Sequence, residues 1–105
     1  MDLAISKNDV SIRLTTERWL HITLGHPEIA DYYYEILETI EDPELIYQGD
    51  KDAKIAIRKF QDRVDKFVVV VYKEINLKDG FIITAYFSNN KQEFKKKEIL
   101  WKQPN

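Results

Sequence analysis

The amino-acid sequence predicts a single α+β domain in which two N-terminal helices pack on an antiparallel sheet of about four strands. Two patterns predict it. Apolar residues recur at helical spacing from Trp19 to Ile40 and alternate with period two after Pro43. The connections between the later apolar runs are short, which suits hairpins, because a parallel pair needs a crossover of about a dozen residues. A chain of 105 residues is also near the common size of one domain and shows no repeat, linker or low-complexity stretch. The domain therefore spans 1–105, with a core over about 10–88 and a basic C-terminal segment at 91–105.

Residues 10–14 read as a short strand. Thr15-Thr16-Glu17 then offers a capping hydroxyl and an acidic first turn for a helix over 16–24, with Trp19 as core anchor. Gly25-His26-Pro27-Glu28 forms a joint, since glycine lets a helix end and proline suits the first position of the next. The second helix is expected over 27–40. Ile29, Tyr33, Ile36, Leu37 and Ile40 form its inner face, and Glu28, Asp31, Glu35 and Glu38 its outer face. Strands follow at 44–48, 54–61, 67–75 and 81–88, separated by turn residues at 49–52 and 78–80. Residues 91–102 set Phe94, Ile99, Leu100 and Trp101 among five lysines and fit either an amphipathic helix or an edge strand.

The absence of cysteine excludes disulfides, thiolate metal sites and a cysteine nucleophile, and fits a cytoplasmic protein. The longest apolar run, 67–72, is far too short to span a bilayer, so no membrane association is expected. Charge is uneven. Residues 1–52 carry 4 basic and 12 acidic groups, residues 53–105 carry 12 and 6, and the whole chain is −2. Such a division predicts a positive sheet-and-tail surface able to meet phosphate and an acidic helical flank.

Strict alternation puts Ile55 and Ile57 on one face and Ala56, Arg58 and Phe60 on the other; it likewise separates Phe81, Ile83, Ala85 and Phe87 from Ile82, Thr84, Tyr86 and Ser88. If the larger apolar sets meet the helices, Arg58, Thr84, Tyr86 and Ser88 share the opposite face. A guanidinium, hydroxyls and a phenol there suit phosphate gripping and base stacking, although such residues also populate solvated sheet faces. His21 and His26 are the side chains suited to acid–base work near neutral pH. Five residues apart across Gly25, with no other histidine or cysteine, they predict no metal site. There is no glycine-rich phosphate loop, GxSxG or HExxH, and Asp50-Lys51-Asp52 lacks the other ligands of a calcium loop, so no cofactor is expected.

The ordered set Ile12-Arg13-Leu14-Thr15-Thr16-Glu17-Arg18-Trp19-Leu20-His21-Ile22, Gly25-His26-Pro27-Glu28, Ile57-Arg58-Lys59, Val69-Val70-Val71-Tyr72-Lys73 and Ile82-Ile83-Thr84-Ala85-Tyr86 resembles the phage-associated nuclease-like families of the Barnase–EndoU–colicin–RelE superfamily. The resemblance covers about residues 10–88. It implies N-terminal helices on a curved antiparallel sheet and metal-independent RNA cleavage on the concave side, with the 2′-hydroxyl as nucleophile. It also implies a toxin held by a cognate antitoxin protein. The implied functional positions are His21 or His26, Arg58, Thr84 and Tyr86 for catalysis, with Lys59 and Lys73 contacting RNA, joined by Ser88 from the same strand face. The other expectation is a non-catalytic module of the same fold, binding RNA or protein.

Overall fold

The computed structural model describes residues 1–63 and 65–104; Val64 and Asn105, the latter at the end of the basic segment, lie outside them. Its elements are β1 (Asp2–Ile5), β2 (Ser11–Leu14), α1 (Thr16–Gly25), α2 (Tyr33–Glu41), β3 (Leu45–Gln48), β4 (Lys54–Lys59), β5 (Phe67–Glu74), β6 (Asp79–Ser88) and β7 (Ile99–Lys102). Short 3₁₀ turns lie at Pro27–Ile29, Asp50–Asp52 and Lys91–Phe94.

The expected antiparallel sheet of about four strands is corrected to one mixed sheet of seven strands among the described residues, ordered β1-β2-β6-β5-β4-β3-β7. β3 to β6 form the expected meander. The N-terminal hairpin β1–β2 then adds to its β6 side through a parallel pairing, Ser11 opposite Asp79, Ile12 opposite Gly80 and Arg13 opposite Phe81. β7 adds beside β3 at the other edge, so the C-terminal segment is a 3₁₀ turn followed by an edge strand. The hairpin tip reaches round to the last strand, with Lys7 Nζ 4.9 Å from the centre of the Trp101 ring.

α1 begins where expected, with Thr15 Oγ1 accepting from the Arg18 N–H at 3.1 Å. Its end owes nothing to a left-handed glycine, since no glycine among the described residues has positive φ. The break falls at His26, with φ −136° and ψ 72°, where the following proline disfavours helical backbone. The second helix does not run from Pro27. A 3₁₀ turn closes with Ala30 N–H donating to Pro27 O at 3.2 Å, and α2 starts only at Tyr33.

Both faces of the sheet carry apolar cores. On one, Ile22 of α1 and Ile36, Leu37 and Ile40 of α2 pack on Ile12, Leu14, Ala56, Val68, Val70, Tyr72, Ile82 and Ala85, and Ala4 of β1 joins them. Trp19 is only partly buried at the rim of this core, 5.0 Å edge-on from Tyr33. On the other, Tyr47, Ile55, Ile57, Phe67 and Val69 are covered by Phe94, which stacks on Tyr47 at 5.1 Å. Ile55 and Ile57 thus face away from the helices, the reverse of the expected assignment.

The register shift between Val71 and Tyr72 breaks the alternation of β6. Ile82 and Ala85 both reach the helix-side core, so Phe81, Ile83, Ala85 and Phe87 do not form one face. A bulge inserts one residue into a strand, and every side chain beyond it changes sides relative to strict counting.

Candidate functional site

β2 covers only the start of β6. Along the rest of that edge run α1 and the turn Pro27–Ile29, and Arg18 Nη1 donates to the carbonyl of Ile83 at 3.3 Å. This placement brings the end of α1 to Tyr86. The ring centres of His26 and Tyr86 are 5.5 Å apart and tilted by 30°. His26 is held through its backbone on both sides: its N–H donates to Ile22 O at 2.8 Å, and its carbonyl accepts from the Ile29 N–H at 3.1 Å. Glu28 Oε1 stands 3.5 Å from His26 Nδ1. A carboxylate on that side favours the tautomer protonated at Nδ1 and leaves Nε2 as the base.

Tyr86 lies opposite Val69, and Thr84 opposite Val71, on the face turned away from α2. Burial, followed by the nearby carboxylate of Glu93, pushes the Tyr86 phenol above its ordinary range. It therefore keeps its proton at neutral pH and presents a donor. Ser88, opposite Phe67, lies on the same face, with its hydroxyl accepting from the Asn90 N–H at 3.2 Å. Lys59 pairs with Phe67 and Lys73 follows Val71 two residues on along β5, so both belong to this face as well. Thr84, Tyr86 and Ser88 therefore share one side, and Lys59, which alternation had separated from them, lies on that side together with Lys73.

Arg58 is not. It lies beside Ala56 and Phe60 on the helix side, where Nη1 donates to Asp42 Oδ2 at 2.8 Å and to the Asp42 carbonyl at 2.9 Å. Nη2 lies 3.2 Å from Glu38 Oε2, and the guanidinium covers the Phe60 ring at 5.0 Å. Two carboxylates occupy this cation, so it cannot serve a phosphate on the Tyr86 face. The physical reason is the second core: once Ile55 and Ile57 bury under Phe94, their neighbour Arg58 must turn to α2.

His21 is exposed on α1 and lines a cavity of about 540 Å³ together with Thr15, Glu17, Arg18, Leu20 and Leu24. The imidazole that approaches the Tyr86 ring is that of His26. Sequence reasoning passed over Arg18 and Glu28, although the i, i+3 spacing of Arg18 and His21 was the available signal. Among the described residues, no group of three or more His, Cys, Asp or Glu side chains is arranged to hold a metal ion, and no helix is long and apolar enough to cross a membrane.

Comparison of the chain with protein-family models, curated proteins and solved structures returned no match.

Proposed function

We propose that the protein is a metal-independent endoribonuclease whose chemistry is centred on His26 and Tyr86. The observation that carries this reading is the 5.5 Å approach of the two rings beside the part of β6 that β2 leaves uncovered. His26 Nε2 removes the proton of a ribose 2′-hydroxyl. The 2′-oxygen bonds to the adjacent phosphorus, and the P–O5′ bond breaks. Tyr86 gives its proton to the departing 5′-oxygen, and the imidazolium returns a proton to the phenolate as the 2′,3′-cyclic phosphate leaves. Thr84 hydrogen-bonds the phosphate, while Lys59 and Lys73 attract the strand.

The resemblance of residues 10–88 to RelE-like nucleases supports the same reading, and with it a cytoplasmic toxin restrained by an antitoxin protein. One observation favours the alternative, a non-catalytic RNA-binding module. The ion pairs of Arg58 with Glu38 and Asp42 withdraw the guanidinium expected to stabilise the transition state.

The test is incubation of purified protein with RNA in excess EDTA. Cleavage is expected to persist, to leave 2′,3′-cyclic phosphate ends, and to fall about 100-fold or more in His26→Ala, the usual range for losing a general base. Cutting that requires added metal, or that is undiminished in His26→Ala, overturns the mechanism. Binding without cutting identifies the module.

A further inference from the structure

We infer that the cavity on α1 is a nucleotide subsite, in which Arg18 and His21 hold a phosphodiester of the RNA strand and Leu20 and Leu24 receive the attached base or ribose. The inference rests on the proposed action on RNA, but not on catalysis.

Four observations carry it. Arg18 commits only Nη1, to the Ile83 carbonyl, and no carboxylate lies within ion-pair distance of it among the described residues. A guanidinium has five donors, so this single anchor leaves others for a ligand. Thr15 Oγ1 already accepts from the Arg18 backbone N–H, so what Arg18 offers a ligand is its side chain. Leu20 and Leu24, one turn apart in the same cavity, are 58% and 83% exposed, an apolar surface beside a cation and an imidazole. The volume, about 540 Å³, falls within the range of small-molecule sites, roughly 300–1,000 Å³.

Glu17 narrows the ligand class. Its carboxylate lines the same cavity and opposes a second negative charge, so the site favours the monoanionic diester of a strand over a dianionic terminal or inorganic phosphate. Arg18 is also tied to Ile83, the residue before Thr84, so this subsite adjoins the strand that carries Thr84 and Tyr86. Substrate length then enters recognition: an RNA bound at α1 and cut at His26 must extend beyond the scissile bond.

The probe is a short single-stranded RNA with every 2′-hydroxyl methylated, which cannot be cut by 2′-attack, titrated into isotope-labelled full chain. Shifts are expected at the Arg18 side-chain N–H, the His21 ring and the Leu20 and Leu24 methyls, with smaller shifts from inorganic phosphate at equal concentration. Arg18→Gln should weaken Kd about tenfold. Leu24→Glu, a change at an exposed position that adds a carboxylate to the rim, should weaken it similarly while leaving thermal unfolding unchanged. Arg58→Gln should bind as the unmodified chain does. The inference is overturned if the oligonucleotide does not bind, if it shifts other residues only, or if Arg18→Gln and Leu24→Glu bind normally. Binding at these residues with no cleavage of ordinary RNA upholds the subsite and rejects the endoribonuclease reading; cleavage without such shifts does the opposite.

Discussion

Gly80 lies so close to Ile12 that a Cβ on it would stand 2.7 Å from Ile12 Cδ1 and would collide with the Lys73 carbonyl oxygen. The contact is the packing of the parallel junction between β2 and β6. Backbone cannot yield cheaply in the middle of a sheet, so Gly80→Ala is expected to destabilise the protein by about 1–3 kcal/mol, the range for overpacking. Urea unfolding of the variant measures this, and a midpoint equal to that of the unmodified chain would contradict it.

Glu74 joins the first hairpin to the sheet. Ser6 Oγ donates to it at 2.6 Å and Asn8 Nδ2 at 3.0 Å, while Lys54 Nζ lies 3.4 Å away. Burial acts to raise its carboxyl pKa, but the two hydrogen bonds and the lysine outweigh this, and the net direction is downward. A lowered folded-state pKa stabilises above the unfolded value, about 4.3, and that contribution is lost as pH falls through the folded value. Glu74→Gln should therefore unfold more readily at pH 7, and its deficit should shrink as the solution is acidified below the unfolded value. A deficit constant from pH 7 to pH 2 would rule out this linkage.

Removing Arg58 should weaken the fold without touching chemistry. Its partners Glu38 and Asp42 are half-exposed, so Arg58→Gln is expected to cost only about 0.5–1 kcal/mol. RNA cleavage should remain within twofold. A hundredfold loss of cleavage with unchanged stability would return Arg58 to the site.

Phe94 closes the second core from outside the span 10–88. It is 3% exposed and stacked on Tyr47. Phe94→Ala should cost roughly 3–5 kcal/mol, as for other buried aromatic truncations. Calorimetry would show the midpoint drop; a near-neutral result would mean that the tail merely rests on the sheet.

Lys51 adopts φ 52° in the turn between β3 and β4, a left-handed conformation that costs a side-chain-bearing residue on the order of 1 kcal/mol. Glycine avoids that cost but loses more backbone freedom on folding, about 0.5–1 kcal/mol. Lys51→Gly is expected to raise the thermal midpoint slightly, by at most a few degrees. A fall of several degrees would show that the Lys51 side chain contributes contacts.

Local signals made much of this fold legible. Thr15 marked the start of α1, and the period-two runs located β3 to β6 within a few residues. What alternation could not reveal was which face met the helices, because Ile55, Ile57 and Val69 are as apolar as Ala56, Val68 and Val70. The cover that settles it, Phe94, lies far along the chain. The β6 bulge then shifted Ile82 to the helix side. β1 escaped notice because Leu3-Ala4-Ile5 is too short to show a period, and the parallel pairing has no local signature. Among the candidate site residues, the two histidines, Thr84 and Tyr86 could be proposed from type and spacing, whereas the fate of Arg58 depended on Glu38 and Asp42 across the fold.

The pairing of β2 with β6 also bears on how the chain is made. Ser11 and Ile12 leave the ribosome before either helix, but their partners Asp79 and Gly80 are synthesised only after both helices and three further strands. Contacts so distant in sequence carry a large loop-closure cost and slow the search for the native state. The strands β3 to β6 can zip through local turns first, while the N-terminal hairpin waits with Ile12 and Leu14, both fully buried in the folded protein, still uncovered. During translation that unpaired hairpin is the segment most open to capture by a chaperone or by another nascent chain, and its docking onto β6 is the step that ends the exposure.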